Sequence, residues 1–85
     1  MKTEMEKIEI VLEACGIPFE VHTQLDFNTP RIAIPHADDV EISIVCNPIS
    51  IGYTSGLVEM WDVTEEEVWG GLSCKEVLAH IVKKF

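Results

Sequence analysis

Four consecutive residues, His36, Ala37, Asp38 and Asp39, set an imidazole beside two carboxylates, a donor set that suits a divalent cation. Aspartate is equally at home in a tight turn, where its side chain bonds nearby backbone, and a turn between two strands is the expectation for this segment. His22 and Cys46 offer a base and a thiol. A nucleophile needs its base within hydrogen-bond reach, however, and Cys46 falls on the inward face of one strand while His22 falls on the outward face of another. His80 lies off the apolar stripe of the last helix and reads as solvated. Cys15, Cys46 and Cys74 are odd in number, far apart and without C-x-x-C spacing. They indicate neither a disulfide framework nor a four-ligand zinc site, and read as small buried apolar residues of a reduced, cytoplasmic protein. No phosphate loop, dinucleotide fingerprint, nucleophile elbow or H-E-x-x-H occurs. With no nucleophile, base and orienter to assemble, the sequence points away from an enzyme and implies no cofactor or metal.

The segment 47–56 is the most unusual stretch, polar and uncharged apart from its two isoleucines. It is long for a connection between two strands, and such loops are often functional. Asn47, Ser50, Gly52, Tyr53 and Thr54 are its candidate contacts for a small ligand or a peptide, with Gly52 allowing close backbone approach. A plain crossover loop is the alternative. Glu65, Glu66 and Glu67 form a second candidate, an acidic patch for a basic partner, although acids also gather in a first helical turn for dipole reasons alone. Trp61 and Trp69 read as core residues.

Fifteen Asp and Glu against six Lys and Arg give a net charge of −9, and no basic residue lies between Arg31 and Lys75. Phosphate backbones are held by Lys and Arg, so this charge balance argues against direct binding of nucleic acid. It either attracts a basic protein surface or simply keeps a small protein soluble. The N-terminal stretch is acidic and amphipathic, and no apolar run approaches a membrane span, so neither a signal peptide nor a transmembrane helix is expected.

The elements that must position these residues follow from periodicity. Met5, Ile8, Val11, Leu12 and Cys15 form one helical stripe, opened by a capping box of Thr3 and Glu6 and closed by Gly16 and Pro18. Ile10 lies off that stripe. Phe19, Val21, Thr23 and Leu25 alternate with Glu20, His22 and Gln24 as a half-buried strand. Arg31 to Pro35 forms a second strand, and Val40, Ile42, Ile44 and Cys46 mark the third. Leu57 to Asp62 is read as a fourth strand in preference to a helical turn. Thr64 and Glu67 match a capping box for one turn over Glu65 to Trp69, broken by Gly70 and Gly71. Ser73 and Glu76 match another, opening a helix with Val77, Leu78, Ile81 and Phe85 on its stripe.

At the loop and the last helix the chain resembles small uncharacterised proteins encoded by phages, prophages and mobile elements of Gram-positive bacteria. The resemblance rests on Ile17-Pro18-Phe19-Glu20, on Val45-Cys46, Ser50, Gly52-Tyr53, Leu57 and Glu59, and on Gly70, Leu72, Ser73 and Val77. Ile51 stands where those proteins often carry a tyrosine. The resemblance implies a genomic setting and no mechanism.

The expected architecture is therefore one α+β domain over residues 1–85, in the order α-β-β-β-β-α, with two helices packed on one face of an antiparallel four-stranded meander. The first and fourth strands would be its edges, and neither has a proline to block pairing in a homodimer. The expected function is that of a non-enzymatic phage or mobile-element accessory protein that binds a host or phage protein with a basic surface. The alternative is a small-ligand or nucleotide-signal binder using the 47–56 loop.

Overall fold

Thr3 starts the first helix, α1 (Glu4–Ala14), as the sequence predicts: its hydroxyl accepts from the Glu6 N–H, and the Glu6 carboxylate accepts from the Thr3 N–H. The helix ends in a Schellman closure. Gly16 turns left-handed at φ 70°, the Ile17 N–H bonds Leu12 O and the Gly16 N–H bonds Glu13 O. Five strands follow, β1 (Glu20–Gln24), β2 (Thr29–His36), β3 (Asp39–Val45), β4 (Val58–Asp62) and β5 (Glu67–Leu72), and then α2 (Cys74–Lys84). A short 3₁₀ turn, Tyr53–Ser55, lies between β3 and β4. The computed structural model describes residues 3–24, 29–47 and 52–84.

The strands lie in sequence order and every neighbouring pair is antiparallel. The α+β class and the meander stand, but the sheet has five strands where the sequence reading gave four. The fifth is made of residues assigned to a helical turn. Thr64 and Glu67 have the spacing of a capping box, yet the Asp62 carboxylate takes both the Thr64 hydroxyl and the Glu65 N–H, and Glu66 turns left-handed at φ 56°. A tight reversal replaces the helix start, and Val68 and Trp69 pair with Trp61 and Met60. The edges are consequently β1 and β5, and β4 is internal. Gly70 and Gly71 do not stop a helix. They carry a bulge, since two steps along β4 from Val58 to Met60 match three along β5 from Leu72 to Trp69, with Gly71 at φ 68°.

Cross-strand register sorts the side chains into two faces. Ile32, Ile34, Ile42, Ile44, Val58 and Met60 point one way and meet Met5, Ile8 and Leu12 of α1 and Cys74, Val77 and Ile81 of α2, all buried. Both helices therefore pack on this one face. The other face carries the cross-strand rows Glu20, Ala33, Ser43, Trp61, Val68 and His22, Arg31, Val45, Glu59. Trp61, expected in the core, belongs to this second face and is 46% exposed. Its odd position in β4 decides this, because Met60 and Asp62 take the core side. Val21 shares the face of Ile32 but sits exposed on the edge strand. Cys15 is also exposed, as the residue that ends α1.

Ser73 opens α2 as expected: the Glu76 N–H donates to its hydroxyl and its own N–H donates to the Glu76 carboxylate. A second acid helps, since the Cys74 N–H donates to Glu4 of α1 at 2.9 Å. Replacement of Ser73 by Ala should lower the denaturant midpoint, at a cost of about 0.5 to 2 kcal/mol.

Gly52 has a different role from the one its sequence context suggested. At φ 92° a Cβ there would lie 2.7 Å from the Cα of Gly71, so the loop after β3 closes directly on the β5 bulge. Gly52→Ala should therefore destabilise by about 1 to 3 kcal/mol through strain and the backbone displacement it forces. A thermal melt equal to the parent's would show that the loop does not dock on β5.

Candidate functional site

The face opposite the helices holds a cavity of about 330 Å³ lined by Gln24, Arg31, Ser43, Val45, Asn47, Glu59 and Trp61. It is at the small end of the range for ligand pockets. Strand alternation builds it: Arg31 on β2 pairs with Val45 on β3, Val45 pairs with Glu59 on β4, and Ser43 and Trp61 form the next row. Arg31 Nε donates to the buried Ser43 hydroxyl at 2.8 Å, which fixes the guanidinium against the sheet. At another wall the Asn47 amide donates to Gln24 Oε1 at 3.0 Å, and Asn47 itself is buried. Trp61 and its cross-strand partner Val68, 46% and 55% exposed, extend an apolar patch from the cavity toward the β5 edge.

A second cluster lies on the core side, where β4 ends. Asp62 is fully buried. His80 of α2 meets its Oδ2 at 2.8 Å, Lys84 donates to both carboxylate oxygens at 3.1 and 3.3 Å, and Thr64 and the Glu65 N–H complete the shell. Lys84 also contacts the Thr64 hydroxyl. Burial pushes the Asp62 carboxyl up, but the hydrogen bonds from His80, Thr64, Glu65 and Lys84 outweigh it and hold the group well below its ordinary value. His80 is thus not the solvated residue expected from its place off the helical stripe. Its ring packs against Trp69, with centroids 4.8 Å apart, and Trp69 in turn packs on the core. Sequence reading missed Asp62 because it stands at a core position of a strand, where an acid looks like a chain terminus of the pattern. The usable signal was spacing in the last helix: His80 and Lys84, four residues apart, present two donors on one face.

The candidate residues chosen from sequence fall in different places. Of the described residues of the 47–56 loop, only Asn47 enters the cavity. Tyr53 and Thr54 are exposed in the 3₁₀ turn, Gly52 is used against Gly71, and Ser50 lies outside the described residues. Glu65 and Glu66 are exposed in the β4–β5 turn, and Glu67 begins β5. His36 and Asp39 close the β2–β3 hairpin, as the turn reading predicts, with His36 Nδ1 at 3.4 Å from Glu20. Cys46 is half-buried, its thiol donating to the Leu57 carbonyl, and burial raises its pKa above the ordinary value. That disfavours the thiolate a nucleophile needs.

No protein-family model, curated protein or solved structure matches this chain. Among the described residues no group of three or more His, Cys, Asp or Glu is arranged to hold a metal ion, and no helix is long and apolar enough to cross a membrane.

The Asp62 shell generates a pH dependence. Because the folded pKa is depressed, its stabilisation is complete above the unfolded value near 3.8 and is lost as pH falls below it. Asp62→Asn should lower stability at neutral pH and flatten the acid limb of the stability curve below about pH 4. Asp62→Ala should cost more, about 3 to 5 kcal/mol, because it strands two donors beside the core. An acid limb equal to the parent's in Asp62→Asn would assign the acid sensitivity to other carboxylates.

Proposed function

We propose that the protein is a non-enzymatic binding module that docks a protein partner with a basic surface on the sheet face opposite its helices. The observation that carries this reading is the exposed cross-strand pair of Trp61 and Val68. Aromatic anchors at the centre of a polar surround are where binding energy concentrates. The surround here is acidic: Glu59 stands on the same face, and the turn with Glu65 and Glu66 leads through Glu67 into Val68. Lys and Arg of a partner would be steered toward such a rim. The resemblance to phage and mobile-element proteins adds a setting, in which the module inhibits or modulates a host or phage protein. The half-buried Cys46 thiol, bonded to a carbonyl, argues for the same non-enzymatic class.

Paired affinity capture with the parent and Trp61→Ala, quantified by mass spectrometry, tests the proposal. The specific partner should be retained by the parent and lost from the variant, with a binding cost of about 2 kcal/mol or more. The thermal melt should change little, since Trp61 is outside the core. Reversing Glu65 and Glu66 to Lys should slow association and flatten its salt dependence. A partner held equally by parent and Trp61→Ala would move the interface elsewhere.

A further inference from the structure

The Arg31 cavity asks for an occupant of its own. Lys7, Lys75, Lys83 and Lys84 lie outside the strands, so among the described residues Arg31 is the sole Lys or Arg of the sheet, in a chain of net charge −9. Among the described residues it forms no ion pair, although Glu59 lines the same cavity. The bond from Nε to Ser43 sets the plane of the guanidinium, which is what a planar two-oxygen ligand requires. Directly across from Arg31 on β1, His22 keeps a buried Nε2 without a partner among the described residues, a second unmet polar group in the same row. The indole of Trp61 and the side chain of Val45 supply flat and apolar walls.

We infer that this cavity is a receptor for a small organic monocarboxylate with a flat apolar body, its carboxylate on Arg31 and its body against Trp61. Charge decides the class. One cation balances one negative charge. Glu59, two strands along the same row and about 10 Å from Arg31 in backbone distance, repels a second charge carried at the far end. A phosphate ester, which needs several cations or a cluster of free N–H groups, is a poor match. The inference does not rest on the protein-partner reading, and the two fail separately, because the ligand is titrated into the isolated protein.

The test is a titration of the ¹⁵N-labelled full chain with phenylacetate, phenylacetamide and phenyl phosphate. Trp61 indole and Arg31 Nε–H resonances report the site, and the Trp69 indole on the opposite face serves as the internal reference. Phenylacetate should shift Trp61 and Arg31 saturably and leave Trp69 in place. The neutral amide should bind about tenfold or more weakly, as expected for loss of a charge-assisted bond. Arg31→Gln should abolish the preference for the acid, and Arg31→Lys should keep only part of it. The comparison of acid with amide on the parent needs no variant, so it stands even if Arg31→Gln fails to fold. Equal binding of acid and amide overturns the inference. So does tighter binding of phenyl phosphate, a response centred on Trp69, or no shift at millimolar phenylacetate. N-acetylphenylalanine supplies the last arm: a clear preference for it over phenylacetate would assign the site to a chain terminus and overturn the free-acid form.

Discussion

Two helices of 11 residues each must shield a sheet of five strands. Five strands about 4.8 Å apart span roughly 19 Å, and two helices side by side, each about 10 Å across, span nearly the same width. One face is therefore covered across its central strands, with Val21 left exposed at the β1 edge, and the helices have nothing left for the other. The distribution of residues follows from this constraint. Isoleucines and methionines concentrate on the covered face, and the opposite face mixes Arg31, Ser43, Glu59, Trp61 and Val68. A cavity and an exposed tryptophan arise on that second face because long side chains rise from neighbouring rows around short ones such as Ser43 and Ala33.

Asp62 is the point where this division is held in place. It occupies a core-side position opposite Ile42, in a strand whose neighbours on that face are apolar. A buried charge is tolerated only when it is paired and hydrogen-bonded, and the pairing here draws on the last two turns of α2 and on the β4–β5 turn together. The same carboxylate thus fixes where α2 ends on the sheet and how tightly β5 folds back. The turn it organises carries Glu65 and Glu66, so the acidic rim and the buried acid are parts of one structure.

The loop after β3 shows how a segment selected for possible binding is partly spent on packing. Gly52 lies so close to the Gly71 backbone that a Cβ at Gly52 has no room, and the β5 bulge exists where that approach occurs. Asn47, buried beside Gln24, ties the start of the loop to β1. Among the described residues of the loop, the 3₁₀ turn with Tyr53 and Thr54 remains exposed.

The sequence by itself determined everything that depends on local periodicity and capping. Thr3 with Glu6 and Ser73 with Glu76 start the two helices where their spacing says, Gly16 closes the first, and the alternation around Ile32, Ile34, Ile42 and Ile44 marks two central strands and their core face. Arg31 was legible as an isolated cation, but its site was not, because a cavity depends on which rows stand side by side. Tertiary structure decided the fifth strand, the face of Trp61 and the role of His80. In each case a long-range partner overrode a local signal. Asp62 accepted from the Thr64 hydroxyl and the Glu65 N–H and so organised a tight reversal where a capping box at Thr64 would have opened a helix, pairing with Val68 fixed Trp61 on the open face, and a carboxylate 18 residues away in sequence drew His80 out of solvent. Spacing along a chain specifies which groups can meet within an element, whereas register between strands and the packing of helices on them specify which groups meet across elements.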